Sequence, residues 1–161
     1  MNSMATVMGA ALVFFSLLVC GNEKTKKEKK KLVVIEGLYS FVSYTSEQIK
    51  LFKAPLSHIY KSFTNEELEN TGFLQCLCDN GWESACERIS VYLTKETESD
   101  MKTFFQGIGA GYCESQISLC AMTLSCLERQ IDSMRSTLPS KLKMYRVLPI
   151  LLALSVIILL I

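Results

Sequence analysis

Thiols, imidazoles and carboxylates are the groups most able to do chemistry, so their spacing is the first test of function. Cys76 and Cys78, with Cys86 and either Cys113 or His58, have the residue types of a zinc site. A zinc knuckle leaves two or more residues between paired ligands, so that both sulfurs reach one ion. One intervening residue is too few. Gly107 to Gly111 (GIGAG) has the glycines of a phosphate loop, but no strand precedes it and no lysine follows. It reads as an interhelical turn. His58 lacks a nearby acid–nucleophile pattern, and Ser62, Ser84 and Ser99 lack a nucleophile elbow. Glu66 and Glu67 are consecutive, so on a helix they face different directions and form no dyad. The lysines at 24, 26, 27, 29, 30 and 31 are not interleaved with aromatics, as a single-strand nucleic-acid surface would require. The sequence predicts no enzyme: no catalytic, cofactor-binding or metal-ligating residues, no cofactor, no nucleic-acid partner and no small-molecule substrate.

What the fold must position is then a surface, and hydropathy shows how it is arranged. The 161 residues suffice for one domain. With 49% hydrophobic and 20% charged residues the chain is not disordered, and a net charge of +1 gives no general affinity for polyanions. A mean hydropathy of +0.24 points to segments in lipid. Ala5 to Cys20 carries no charge and, with its neighbours Met4 and Gly21, is about 18 residues long, near the length of a membrane helix. Val147 to Ile161 is also uncharged, spans roughly 22 Å as a helix, and is extended by Met144 and Tyr145 with Arg146 snorkelling.

The lysine block follows the first segment, and Lys141, Lys143 and Arg146 precede the second. The positive-inside rule places everything between in the cytosol, with both termini on the other side and the basic flanks against anionic lipid. A cleaved signal peptide would carry its basic residues before the apolar core, not after it. A lipoprotein acylated at Cys20 would need a small residue where Val19 stands. A buried soluble helix would not need a basic flank. Seven cysteines (Cys20, Cys76, Cys78, Cys86, Cys113, Cys120 and Cys126) exclude a fully paired disulfide framework and suit a reducing compartment.

Between the flanks the apolar pattern is helical. Ile35, Leu38, Val42, Thr45, Ile49, Phe52 and Leu56 alternate gaps of three and four, as do Cys113, Ile117, Cys120, Leu124, Leu127, Ile131, Met134 and Leu138. Pro55 stops the first long helix after Lys53 or Ala54. A short helix covers Leu56 to Phe63. Thr64 caps a helix running to about Cys78, with Glu67 completing a capping box. Asp79, Asn80 and Gly81 turn the chain. Helices follow at Trp82 to about Leu93 and Thr97 to about Ile108, and a long one from about Tyr112, which Pro139 should kink or break. Nine carboxylates between Glu66 and Asp100 predict an acidic membrane-distal end.

This order of segments resembles the stage III sporulation protein AB family over essentially the whole chain. The shared features are Pro55-Leu56 after the first long helix and FFQGIGAGYCESQ (Phe104 to Gln116), with Phe104, Ile108, Gly109 and Gln116 in register. KLKMYR (Lys141 to Arg146) then leads into an Ile/Leu-rich end. Phe105, Tyr112 and Pro139 depart from the family pattern. The resemblance implies an all-α cytosolic antiparallel bundle, similar to the inner-membrane platforms of type II secretion and type IV pilus systems. The implied organisation is a transmembrane helix at 1–21, a basic flank at 22–31, the bundle at 32–143 and a transmembrane helix at 144–161. It further implies a non-enzymatic adaptor in the channel complex between mother cell and forespore. Its membrane is the mother cell's outer forespore membrane, and its partners are lipid, other subunits and a secretion-type ATPase resembling stage III sporulation protein AA. The alternative readings are a small membrane-anchored regulator and the lipoprotein acylated at Cys20.

Overall fold

The computed structural model describes the backbone of residues 2–160, and the side chains of residues 22–145, 147–148, 150–152 and 155. It is all-α, with no strand among the described residues. The helices are α1 (Asn2–Phe52), α2 (Leu56–Ser62), α3 (Glu66–Asn70), α4 (Phe73–Asp79), α5 (Trp82–Ile89), α6 (Lys95–Gly107) and α7 (Cys113–Leu160). A 3-10 turn at Ser90–Tyr92 follows α5. Two compact units result: Lys30–Met134, and Met1–Lys29 with Arg135–Ile161.

In Lys30–Met134 the two long helices run antiparallel. The Cys113 thiol donates to the Ile49 carbonyl at 3.8 Å, and one helical stretch further on Cys120 lies against Ser46. Ile35, Leu38, Val42, Thr45 and Ile49 are buried along α1, as are Cys120, Leu127 and Ile131 along α7. The seam of α1 ends at Ile49, not at Leu56. Phe52 is 68% exposed, because the helix ends at this residue. Lys53 there adopts φ +49, and its N–H still reaches the Ile49 carbonyl at 3.1 Å. Ala54 turns its N–H back to Gln48 at 3.4 Å. Pro55 disfavours helical backbone at Ala54, so the reversal falls on Lys53.

The short helices pack onto α1 through rings. Phe41, fully enclosed, lies 5.8 Å from Tyr60, 5.3 Å from Phe63, 6.0 Å from Phe73 and 6.1 Å from Phe105. Trp82 stacks on Phe105 at 6.1 Å, which ties α5 to the same cluster.

The local stops differ from the sequence reading for identifiable reasons. Asn65, not Thr64, caps α3: its backbone is extended and its side-chain oxygen accepts from the Leu68 N–H at 3.1 Å. Asparagine caps at least as well as threonine. The helix expected to run to Cys78 breaks at Gly72, whose φ of +74 only glycine adopts without strain. The helix from Trp82 gives way at Ile89 to the 3-10 turn, where the Ser90 hydroxyl donates to the Glu87 carbonyl at 2.8 Å and competes with the helix pattern. The next helix starts at Lys95, with Thr94 accepting from the Thr97 N–H at 3.2 Å. Pro139 does not break α7, which continues to Leu160. One missing N–H does not end a helix held by long flanks on both sides.

In the other unit, Lys141 pairs with Glu28 at 3.3 Å. Among the described residues no helix is long and apolar enough to cross a membrane. The expected span at 1–21 lies outside the residues whose side chains are described, as do residues 146, 149, 153, 154 and 156–161 of the second. The described apolar residues there, Val147, Leu148 and Ile150 to Leu152, are exposed.

Two stability changes follow. Phe41→Ala empties the ring cluster and lowers the unfolding free energy of the detergent-solubilised chain by about 3–5 kcal/mol; chemical denaturation monitored by the Trp82 fluorescence measures it. Lys53→Gly removes the left-handed strain and raises stability by about 0.5–1 kcal/mol, once glycine's extra freedom in the unfolded chain is subtracted.

Candidate functional site

The side chains singled out for chemistry are scattered. Cys76 and Cys86 are buried while Cys78, two residues from Cys76, is exposed. His58 is exposed on α2. Among the described residues no three histidines, cysteines or carboxylates come together as a metal site. Glu66 is exposed and Glu67 half-buried at the start of α3. The GIGAG segment forms the α6–α7 turn. Gly109 has φ +86, and a Cβ there would meet Leu56 Cδ1 at 2.8 Å. Its glycines serve packing and turn geometry.

Two buried thiols are protected. Burial pushes the Cys86 thiol up to about 11, and Cys120, also by burial, to about 11. Both are therefore protonated, apolar groups at neutral pH. Tyr60 is likewise raised to about 12, by burial first and the nearby Cys120 second.

The charged surface is the remaining candidate. Of the nine carboxylates from Glu66 to Asp100, six are exposed and three half-buried, against only Arg88 and Lys95 in the same stretch. Glu98 engages Lys102 at 2.7 Å, one turn along α6, and this hydrogen bond raises the lysine's pKa. These carboxylates do not gather at one end. Glu96 and Asp100 line an open groove of about 320 Å³ with Arg129, Gln130 and Ser133. That groove lies toward the end of the unit that holds Met134, where the Lys30 ammonium sits 5.4 Å from the Tyr92 ring centre. Gln130 ties the two walls together, accepting from the hydroxyls of Thr94 (3.4 Å) and Thr97. α3 packs against the middle of α1, with Asn65 and Leu68 over Gly37. The acidic surface thus runs along the flank of the unit. The expectation of an acidic far end fails because α6 runs antiparallel to α7 and brings its acidic start back toward Met134.

The far end carries something the sequence reading missed. Leu51 is 67% exposed, Phe52 68% and Tyr112 87%. The signal available was weak: three large apolar residues beside a proline stop and a glycine turn.

The model of the stage III sporulation protein AB family matches residues 6–161, essentially the whole chain. The chain belongs to that family. Membership carries a role in stage III of sporulation. The comparisons with curated proteins and with solved structures give no match.

The buried acids of this family member set a pH dependence. The neutral forms of Cys86, Cys120 and Tyr60 are favoured by folding, so their folded values lie above the ordinary 9.0 and 10.0. Their contribution is complete below about pH 9 and is lost as pH rises through about 11 to 12. The melting temperature of the detergent-solubilised chain therefore falls from pH 9 upward, and Cys120→Ala, which removes one titrating group, flattens that slope.

Proposed function

We propose that this sporulation protein is a non-enzymatic membrane platform in the complex that joins mother cell and forespore. In this reading the apolar stretches at 1–21 and 144–161 anchor it in the mother cell's outer forespore membrane. The unit Lys30–Met134 faces the cytosol and docks a secretion-type ATPase. The lysines on both flanks support the orientation through the positive-inside rule. The observation that carries the docking reading is the flank of α3 to α6. Its excess of six negative charges stands on helices held to α1 by the Phe41 cluster and by Leu68 against Gly37. A rigid, exposed, single-sign surface steers a partner of opposite charge and fixes its register.

The test is co-purification of the full chain, in mild detergent, with the cognate ATPase resembling stage III sporulation protein AA. Association is expected at about 50 mM salt, weakening roughly tenfold or more by about 500 mM. Glu83→Lys with Glu87→Lys should abolish it. No association at the lower salt overturns the docking reading.

A further inference from the structure

The far end of the Lys30–Met134 unit remains without a role in that reading. Leu51 and Phe52 close α1, and Tyr112 opens the approach to α7. They share one end of the unit, where the next residue, Cys113, touches the Ile49 carbonyl and Leu56 packs beside Gly109. Tyr112 is not a loose tip. The turn before it is closed by the Ala110 N–H on the Gly107 carbonyl at 3.2 Å, and the Gln116 side-chain amide donates to the Gly111 carbonyl at 3.1 Å. Three large apolar side chains, each at least two-thirds exposed, thus stand at one end on ordered backbone. Such a patch is costly in water unless something covers it.

The charges around it say what would fit. Glu47 lies one turn before Leu51, Lys50 and Lys53 flank Leu51 and Phe52, and Glu114 follows Cys113. All four are exposed, and none has an ion-pair partner among the described residues. Two unpaired cations and two unpaired anions leave the rim neutral, so a second identical rim is not repelled. A two-fold interface requires this self-complementarity, because each patch must satisfy its own image. A strongly basic or acidic partner would leave two of the four charges facing their own sign.

We propose that this end is the docking surface for a second copy of the chain. Leu51, Phe52 and Tyr112 meet their counterparts across a two-fold axis, and Lys50 and Lys53 of one copy face Glu47 and Glu114 of the other. Aromatic residues at the centre with a polar rim match the usual anatomy of protein interfaces. The proposal goes beyond the ATPase reading and does not rest on it: the acidic flank and the paired end are different surfaces, and the test below contains no ATPase.

The experiment uses the full chain in mild detergent with a photo-crosslinking benzoyl-phenylalanine in place of Tyr112. Illumination should give a dimer whose cross-links map to residues 47–53 or 112–114 of the second copy. Phe52→Asp, at an exposed position and therefore neutral to folding by circular dichroism, should lower the dimer yield about fivefold or more. Lys50→Glu with Lys53→Glu makes the rim wholly acidic and should abolish pairing; so should Glu47→Lys with Glu114→Lys, which makes it wholly basic. Differently tagged copies of these two double variants, mixed, should pair again. Cross-links mapping elsewhere, a yield unchanged by Phe52→Asp, or failure of the mixed variants to pair overturns the proposal.

Discussion

Everything in the Lys30–Met134 unit depends on the enclosure of one ring. α2 to α5 have between five and eight residues each, too short to persist alone in water. α2, α4 and α5 are held because Phe41 offers a common anchor: Tyr60 and Phe63 from the α2 region, Phe73 from α4, Phe105 from α6, and Trp82 of α5 through Phe105; α3 is held by Leu68 over Gly37. Six of the nine carboxylates from Glu66 to Asp100 stand on three of those short helices, α3 to α5, and the other three on α6. An acidic surface is therefore built largely on elements with no rigidity of their own, and hydrophobic contact with α1 lends it to them.

Periodicity made the long helices legible, since a buried stripe on an extended helix repeats many times. It faltered where a single residue decides the outcome. Phe52 continues the spacing of Ile49 yet lies outside the core, because the left-handed Lys53 ends the helix before the next turn can be covered. Thr64 and Asn65 are both good caps, and only the backbone geometry selects Asn65. Gly72 sits inside a plausible helix, and its role as a break depends on how Phe73 must turn to reach Phe41. Pro139 shows the opposite error: a local breaker overridden by its surroundings.

The candidate surface was half legible. The excess of carboxylates could be counted in the sequence, but their placement along the flank follows from the antiparallel return of α6, which local patterns do not encode. The thiols were read correctly as apolar fillers of a seam, because Cys113 and Cys120 fall on its repeat; burial of Cys120 keeps its sulfur protonated. Family membership agrees with the resemblance drawn from segment order, and it places the chain in stage III of sporulation.

The antiparallel seam also sets an order on biosynthesis. Ile49 meets Cys113 across 64 residues of chain, and every short helix lies inside that loop. A ribosome delivers α1 first and α7 last, so the stripe from Ile35 to Ile49 emerges long before its partner. Nascent chains must spend that interval with an uncovered greasy face, which makes them clients for chaperones until the final helix leaves the exit tunnel.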